Sequence, residues 1–378
     1  MSEKMKTGTG PGITKQQSSQ LQGLAILLLI HHHFFNDLSI YGEKLAFWSA
    51  DWVVKVSWFG KICVGIFAFV TGYGMSRVLE RRKGSATAVC LKQILQFLVR
   101  YWVIFLLFMG CLFSLGRKTF EFEEFLQNFF CISSTYNGAF WYVQQYVMML
   151  LLLAMAEALL RFLAAVWKRE KNGKVLGDGW QEAAERIAAV LMALTGGIFA
   201  IAAIASQNVR IIFQQFLDVI RIAFVLTCFM GYFAAKLRTF EWIFTKLNAL
   251  RHAFRLIFGV FLILLVGAFR IWLADSPAYA RHDFLFVPVF VTGVLLCLNG
   301  VKWLETPLER LGRTSVYVWL THLFVFELTN SFVLRFVHSH FLFYLVETVL
   351  CIFIGSSCLY AERGIKDFHK SFQKKEIG

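Results

Sequence analysis

Three consecutive histidines, His31, His32 and His33, close an apolar run that begins at Leu21 and reads as a membrane-spanning helix. Ionisable side chains are rare inside a bilayer and mark functional sites there. Imidazole titrates near neutral pH, so it can take a proton from a hydroxyl at the moment that hydroxyl attacks. Gln22 and His33 are eleven residues apart, and eleven steps of about 100° return to within ~20° of the starting direction. The two side chains therefore share one helix face, roughly 16 Å apart along the axis. Consecutive histidines fan out by about 100° each, so at most one or two of them can point at a common site. His33 is the one assigned to it. A helix entering the membrane near Leu21 carries His33 about 18 Å into a core ~30 Å thick, past the middle.

Other polar residues sit inside apolar runs. Gly65, Ala68 and Gly72 form a stripe suited to close helix contact, and glycines on both sides of Tyr73 predict a locally irregular backbone. Thr71 and Tyr73 would present hydroxyls from it; tight helix packing alone is the competing reading. Ser315, His322 and Thr329 recur every seven residues and share one strip. His322 is either a hydrogen-bonding partner across a helix interface or a catalytic group. Arg100, about two turns into its run, needs an anion. With Arg77, Arg81 and Arg82 it would form a site for phosphates, although simple anchoring at the membrane surface suffices for Arg81 and Arg82.

These residues require helices in a membrane to position them. A chain of 378 residues with 58% hydrophobic content and 41 Phe fits an all-α, polytopic integral membrane protein. Its formal charge of +14 is carried largely in short loops between apolar runs, which is membrane topology and not a surface for nucleic acid. Eight cysteines are scattered without a CxxC pair or metal-ligand spacing, so they read as reduced packing residues and no metal is expected. Ten runs of spanning length occur, at about 21–37, 58–79, 93–115, 140–163, 186–205, 212–235, 254–273, 284–302, 315–336 and 341–361. Lys and Arg concentrate in alternate loops together with both tails, which puts both termini in the cytoplasm. Three segments result: a cytoplasmic tail 1–20, a ten-helix domain 21–361 and a basic cytoplasmic tail 362–378. No cleavage site follows the first run, so it stays as an anchor. A charged, glycine-containing loop around Lys168 to Glu185 joins two five-helix halves.

The order of the motifs resembles the acyltransferase 3 family of integral membrane acyltransferases. The first run is similar to that family's opening helix, a basic residue followed by ten residues and a histidine, with His33 at the histidine. Val64 to Tyr73 resembles its phenylalanine-rich segment ending in Ser-Gly-Tyr, here Thr71-Gly72-Tyr73. Arg100-Tyr101-Trp102 resembles the start of its third helix, and Tyr136 to Tyr142 its aromatic entry to the fourth. Leu311-Gly312-Arg313-Thr314-Ser315 with Trp319 and His322 resembles its late motif. Gln22 departs from the pattern, standing where the family usually has Arg or Lys; glutamine hydrogen-bonds but carries no charge.

The resemblance implies transfer of an acyl group, most often acetyl from acetyl-CoA, to a hydroxyl of a cell-envelope glycan or lipid-linked sugar. It also implies a bacterial inner-membrane location. Acyl-CoA would be a donor substrate and not a bound cofactor. His33 would be the base or would relay the acyl group, with His322 orienting it and Tyr73 a third catalytic group. Arg100, Arg77, Gln22 and Thr71 would hold the donor, and Trp141, Tyr142 and His32 the acceptor. Two other classes are compatible with the residues. Glu157, Glu327 and Glu347 with the intramembrane His and Arg could build a proton-coupled transporter, and Gln22 suits a non-catalytic scaffold of the same fold.

Overall fold

The computed structural model describes residues 12–82, 84–170, 186–187, 189–190, 219–248, 251–273 and 282–376. Helix α1 (Lys15–Phe35) starts at a reciprocal cap: the Thr14 hydroxyl accepts from the Gln17 N–H at 3.1 Å, and the Gln17 side chain accepts from the Thr14 N–H at 2.9 Å. Next come α2 (Ala50–Gly60) and α3 (Ile62–Arg81), one stretch interrupted at Lys61. They are followed by α4 (Ala86–Ser114), the short amphipathic α5 (Phe122–Phe129) and α6 (Trp141–Glu170). The second part holds α7 (Val219–Lys236), α8 (Thr239–Asn248), α9 (His252–Trp272), α10 (Asp283–Leu298), α11 (Lys302–Val333) and α12 (His340–Glu376). No strand occurs among the described residues; a single bridge joins Ala46 to Ser339.

Among the described residues, six stretches are long and apolar enough to cross a membrane: Ala50–Arg81, Ala86–Ser114, Gly138–Leu163, His252–Trp272, Lys302–Val333 and His340–Phe368. A seventh results if α7 and α8, bent by 68° at their junction, count as one span. The bend is made at Arg238, whose φ is 54°. The protein is therefore an all-helical, multi-pass membrane protein. Helix α1 is not among the six because its first two turns are polar, and α10 is too short. Helices coincide with nine of the ten predicted runs; all of the fifth run but residues 186–187 and 189–190, residues 212–218 of the sixth, most of the Lys168–Glu185 loop and residues 1–11 lie outside the described residues.

Two local expectations change. The backbone of α3 stays helical through Gly72, Tyr73 and Gly74, so the glycines there serve packing and not irregularity. Helix α11 begins at Lys302, thirteen residues ahead of the predicted 315, and α12 continues to Glu376. Charged residues outside a membrane can extend a spanning helix, because helix geometry does not depend on the surrounding solvent being lipid.

Helices in lipid gain little from burying apolar surface against each other, so close approach through small residues decides their pairing. A Cβ on Gly23 of α1 would lie 2.1 Å from the Leu308 carbonyl oxygen of α11, and one on Gly312 of α11 would lie 1.7 Å from the Ser19 carbonyl oxygen of α1. The same reciprocity joins α3 to α7, with Gly72 against the Cys228 carbonyl at 1.8 Å and Gly231 against the Phe69 carbonyl at 2.0 Å. Farther along, Arg270 of α9 and Asp283 of α10 form an ion pair with both side chains fully buried. A second nitrogen of that guanidinium donates to the Trp58 carbonyl at 3.4 Å, tying α2 to the pair.

Candidate active site

The pairing of α1 with α11 brings two of the predicted histidines together. Gly23 to His33 and Gly312 to His322 are both ten-residue steps, about 15 Å along each helix. From the glycine contact the two chains therefore climb to a common level, where the imidazole centroids of His33 and His322 are 4.9 Å apart. His322 is fully buried, and its Nδ1 lies 2.7 Å from the Trp319 carbonyl oxygen. A carbonyl only accepts, so Nδ1 carries the proton. In the neutral ring this leaves Nε2 as a lone-pair acceptor, and that atom is buried with no hydrogen-bond partner.

Of the other two histidines, His32 stays beside His33, with ring centroids 5.1 Å apart, and His31 turns away. His32 donates from Nδ1 to the Ser57 carbonyl at 2.9 Å, and the Ser57 hydroxyl donates back to the His32 carbonyl at 3.5 Å, which fixes α2 against α1. His31 packs between Phe35 and Tyr344, with centroids 5.0 and 5.4 Å away.

His32 and His33 open on a chamber of about 160 Å³ that Lys61 and Trp141 also line. A second chamber, of about 130 Å³, is lined by Gln22, Thr71, Gln93, Arg100, Tyr146 and Ser315. Phe67, Tyr142 and Trp319 belong to the walls of both. The Tyr142 and Trp319 rings meet edge-on at 5.6 Å, and the Tyr142 hydroxyl is buried without a partner. Three aromatic side chains thus form a thin partition between the histidines and the arginine.

Local sequence explains how α6 presents its part. The Asn137 side chain accepts from the Ala139 N–H at 3.0 Å, capping the turn from which α6 starts at Trp141. Upstream, the Tyr101 hydroxyl donates to the Asn128 carbonyl at 2.6 Å, and the Trp102 indole donates to the Phe129 carbonyl at 2.9 Å. In the Arg100-Tyr101-Trp102 motif, the two aromatics therefore fasten the loop between α4 and α6 while Arg100 lines a chamber. Its Nε lies 3.3 Å from both carboxylate oxygens of Glu362 on α12. The anion that Arg100 requires is supplied within the chain.

Tyr73 and Arg77 line neither chamber. The Tyr73 hydroxyl accepts from the Ile13 N–H at 2.9 Å, and Arg77 is bonded to Glu241 of α8 and to Glu80 at 3.3 Å. Tyr73 secures the segment before α1, and Arg77 ties α3 to α8. The polar strip on α11 is likewise divided: Ser315 lines the Gln22 chamber, His322 meets His33, and Thr329 donates to the Glu347 carboxylate at 2.8 Å. Glu157 is held by Tyr232, by Lys236 at 3.1 Å and by Arg161 at 2.9 Å, and Glu327 lies 3.6 Å from Lys118. None of the three glutamates lines either chamber. Among the described residues, no three His, Cys, Asp or Glu are grouped to hold a metal.

Among the chamber residues that sequence reasoning missed are Lys61, Phe67, Gln93 and Tyr146. Periodicity held a signal for two of them. Gln93 is seven residues ahead of Arg100, and Tyr146 is four after Tyr142, so each shares a helix face with a residue already singled out. A lone lysine within an apolar run was the signal for Lys61.

The class is thus a multi-pass helical membrane protein with a paired-histidine site buried among its helices. Residues 19–357 match a family described as an acyltransferase domain, the acyltransferase 3 family, and the chain belongs to it. No curated protein and no solved structure matches it.

Proposed function

We propose that the protein is an O-acyltransferase that moves an acyl group, acetyl in the simplest case, from acyl-CoA on the cytoplasmic side to a hydroxyl of an envelope glycan or lipid-linked sugar. The observation that carries this reading is the partition. His33, against His322, faces one chamber, and Gln22 and Arg100 face another, with Phe67, Tyr142 and Trp319 between them. A donor entering the Gln22 chamber would reach the histidines only through that aromatic wall. The wall's one hydroxyl lacking a partner, on Tyr142, is suited to donate to the thioester oxygen as negative charge develops there. Ten spans with both termini in the cytoplasm give this arrangement a direction, in a bacterial cell membrane.

The chemistry is acyl transfer to an alcohol. His33 takes the proton of the acceptor hydroxyl, the hydroxyl oxygen bonds to the acyl carbon, the carbon–sulfur bond breaks, and the proton passes from His33 to the departing thiolate. A small turn of either ring would let Nε2 of His322, which has no partner in the structure, accept from an N–H of His33 and so set which His33 nitrogen is free to act as base. Arg100 binds a donor phosphate by exchanging Glu362 for it. It supplies the charge that Gln22 does not, while Gln22 and Thr71 hydrogen-bond the donor in the same chamber. Trp141 and His32 contact the acceptor, the indole by stacking on a sugar ring. The role of Tyr73 is indirect, through the segment ahead of α1, and that of Arg77 is indirect, through its tie to α8.

Labelled acetyl-CoA supplied to membranes with and without the protein tests the reading. Label entering the glycan or lipid-linked sugar fraction only when the protein is present supports it. Equal labelling in both sinks it, and uptake of a solute without covalent change would favour transport.

A further inference from the structure

The chamber on the Gln22 side of the aromatic partition is polar yet almost uncharged. Its walls carry the carboxamides of Gln22 on α1 and Gln93 on α4, the hydroxyls of Thr71, Tyr146 and Ser315, and a single charge, Arg100. Arg100 is drawn to Glu362, which is not among the chamber's walls. A phosphate that takes the place of Glu362 therefore lies at the chamber's edge, and one arginine does not match a nucleotide bearing several phosphates. What fits the chamber itself is a neutral group that both donates and accepts hydrogen bonds. Its free volume is about 130 Å³, roughly four waters' worth, which suits a slender chain carrying one secondary amide better than a sugar ring. A carboxamide presents an acceptor oxygen and a donor nitrogen, the complement of an amide N–H and C=O.

We propose that Gln22 and Gln93 bind the amide nearest the thioester in the donor's pantetheine arm, one accepting from its N–H and the other donating to its carbonyl, so that the protein selects its donor by this amide more than by the nucleotide. The inference rests on the acyltransferase reading and deepens it. From the two glutamines the arm runs to the partition, where Tyr142, which lines the same chamber, has its hydroxyl free for the thioester oxygen. Gln22, standing where the family usually has a basic residue, trades a charge for an amide-to-amide contact. Neither glutamine makes or breaks a covalent bond; both set specificity. A thioester whose arm lacks the N–H leaves a carboxamide in the chamber unpaired, and that loss is what discriminates.

The test uses the full protein in membranes and two labelled donors that carry no nucleotide and no phosphate. S-acetyl-N-acetylcysteamine keeps the amide, and S,O-diacetyl-2-mercaptoethanol has an oxygen in place of its N–H. The wild type should use the amide donor with a kcat/KM at least about tenfold above that of the ester, the scale of one lost hydrogen bond. Gln22→Met and Gln93→Met keep the length of the side chain without its polar atoms, and each should raise the KM for acetyl-CoA. The two small donors should become nearly equal in the variant whose glutamine accepts the N–H. A glutamine with a merely structural role would lower both rates and leave their ratio unchanged. Acetyl-CoA and an acetylated carrier protein bear the same arm; supplied separately, they show which is the donor, and transfer from either should fall in Gln93→Met. Equal use of the two small donors by the wild type overturns the proposal. So does a wild-type ratio kept in both variants, and so does transfer from acetyl-CoA with none from the amide donor at saturation. The wild-type ratio decides even if a variant fails to accumulate. No labelled product from any donor with the wild type overturns the transfer reading itself, and this inference with it.

Discussion

The imidazoles of His33 and His322, from helices nearly three hundred residues apart in sequence, stand 4.9 Å apart because Gly23 and Gly312 let their helices touch backbone to backbone. The Trp319 carbonyl fixes the proton of His322 on Nδ1, so that Nε2 is presented as an acceptor. The pair is therefore asymmetric: one ring is anchored and the other opens on a chamber.

That asymmetry predicts unequal losses. His322→Ala leaves His33 in place but unoriented, and transfer should fall about 10- to 100-fold, as for other second partners of an active imidazole. His322→Gln, which can still accept a hydrogen bond, should recover part of the loss. Initial rates in membranes with matched protein levels check this.

The glycine contact has its own consequence. Gly312→Ala places a methyl 1.7 Å from a backbone oxygen that cannot move aside as a side chain tip would. It should destabilise by at least about 1–3 kcal/mol, the usual scale of overpacking, and lower transfer by separating His322 from His33. Gly110→Ala on α4, where nothing lies within 4 Å, should leave melting unchanged or raise it slightly through helix propensity. Thermal unfolding in detergent distinguishes the two.

Arg270 and Asp283 are both fully buried, so removing one partner strands the other. Asp283→Ala should cost about 3–5 kcal/mol and reduce accumulation in the membrane. The double variant Arg270→Met, Asp283→Leu should regain much of it, because it removes both desolvated charges together.

At the other end of the site, Glu362 competes for Arg100 with any phosphate of the donor. Glu362→Gln should lower the KM for acyl-CoA by up to a few-fold, the range expected for a half-exposed pair. Arg100→Gln should raise it with a smaller effect on kcat. Equal KM values in both variants would place the donor phosphates elsewhere.

Much of this was legible in the sequence. The apolar runs located the helices, and helical geometry correctly put Gln22 and His33 on one face: they line neighbouring chambers. The histidine fan was legible too, with His31 turned away toward Tyr344. What was not legible depends on partners distant in the chain. Arg77 reads as an anion-binding residue until Glu241, 164 positions away, is found beside it. Tyr73 reads as a site hydroxyl until it meets the Ile13 amide. The glycines around Tyr73 fit either irregular backbone or close packing, and only the position of α7 decides between them. The aromatic partition combines residues from α3, α6 and α11, and no local spacing encodes that meeting.

The most direct measurement is acetyl transfer from labelled acetyl-CoA in membranes carrying either the wild type or His33→Ala at equal levels. The account predicts labelled product with the wild type and a loss of at least about 100-fold with His33→Ala, the lower end for removal of a general base. Wild-type rates in His33→Ala would contradict it and move the base to another residue of the chamber.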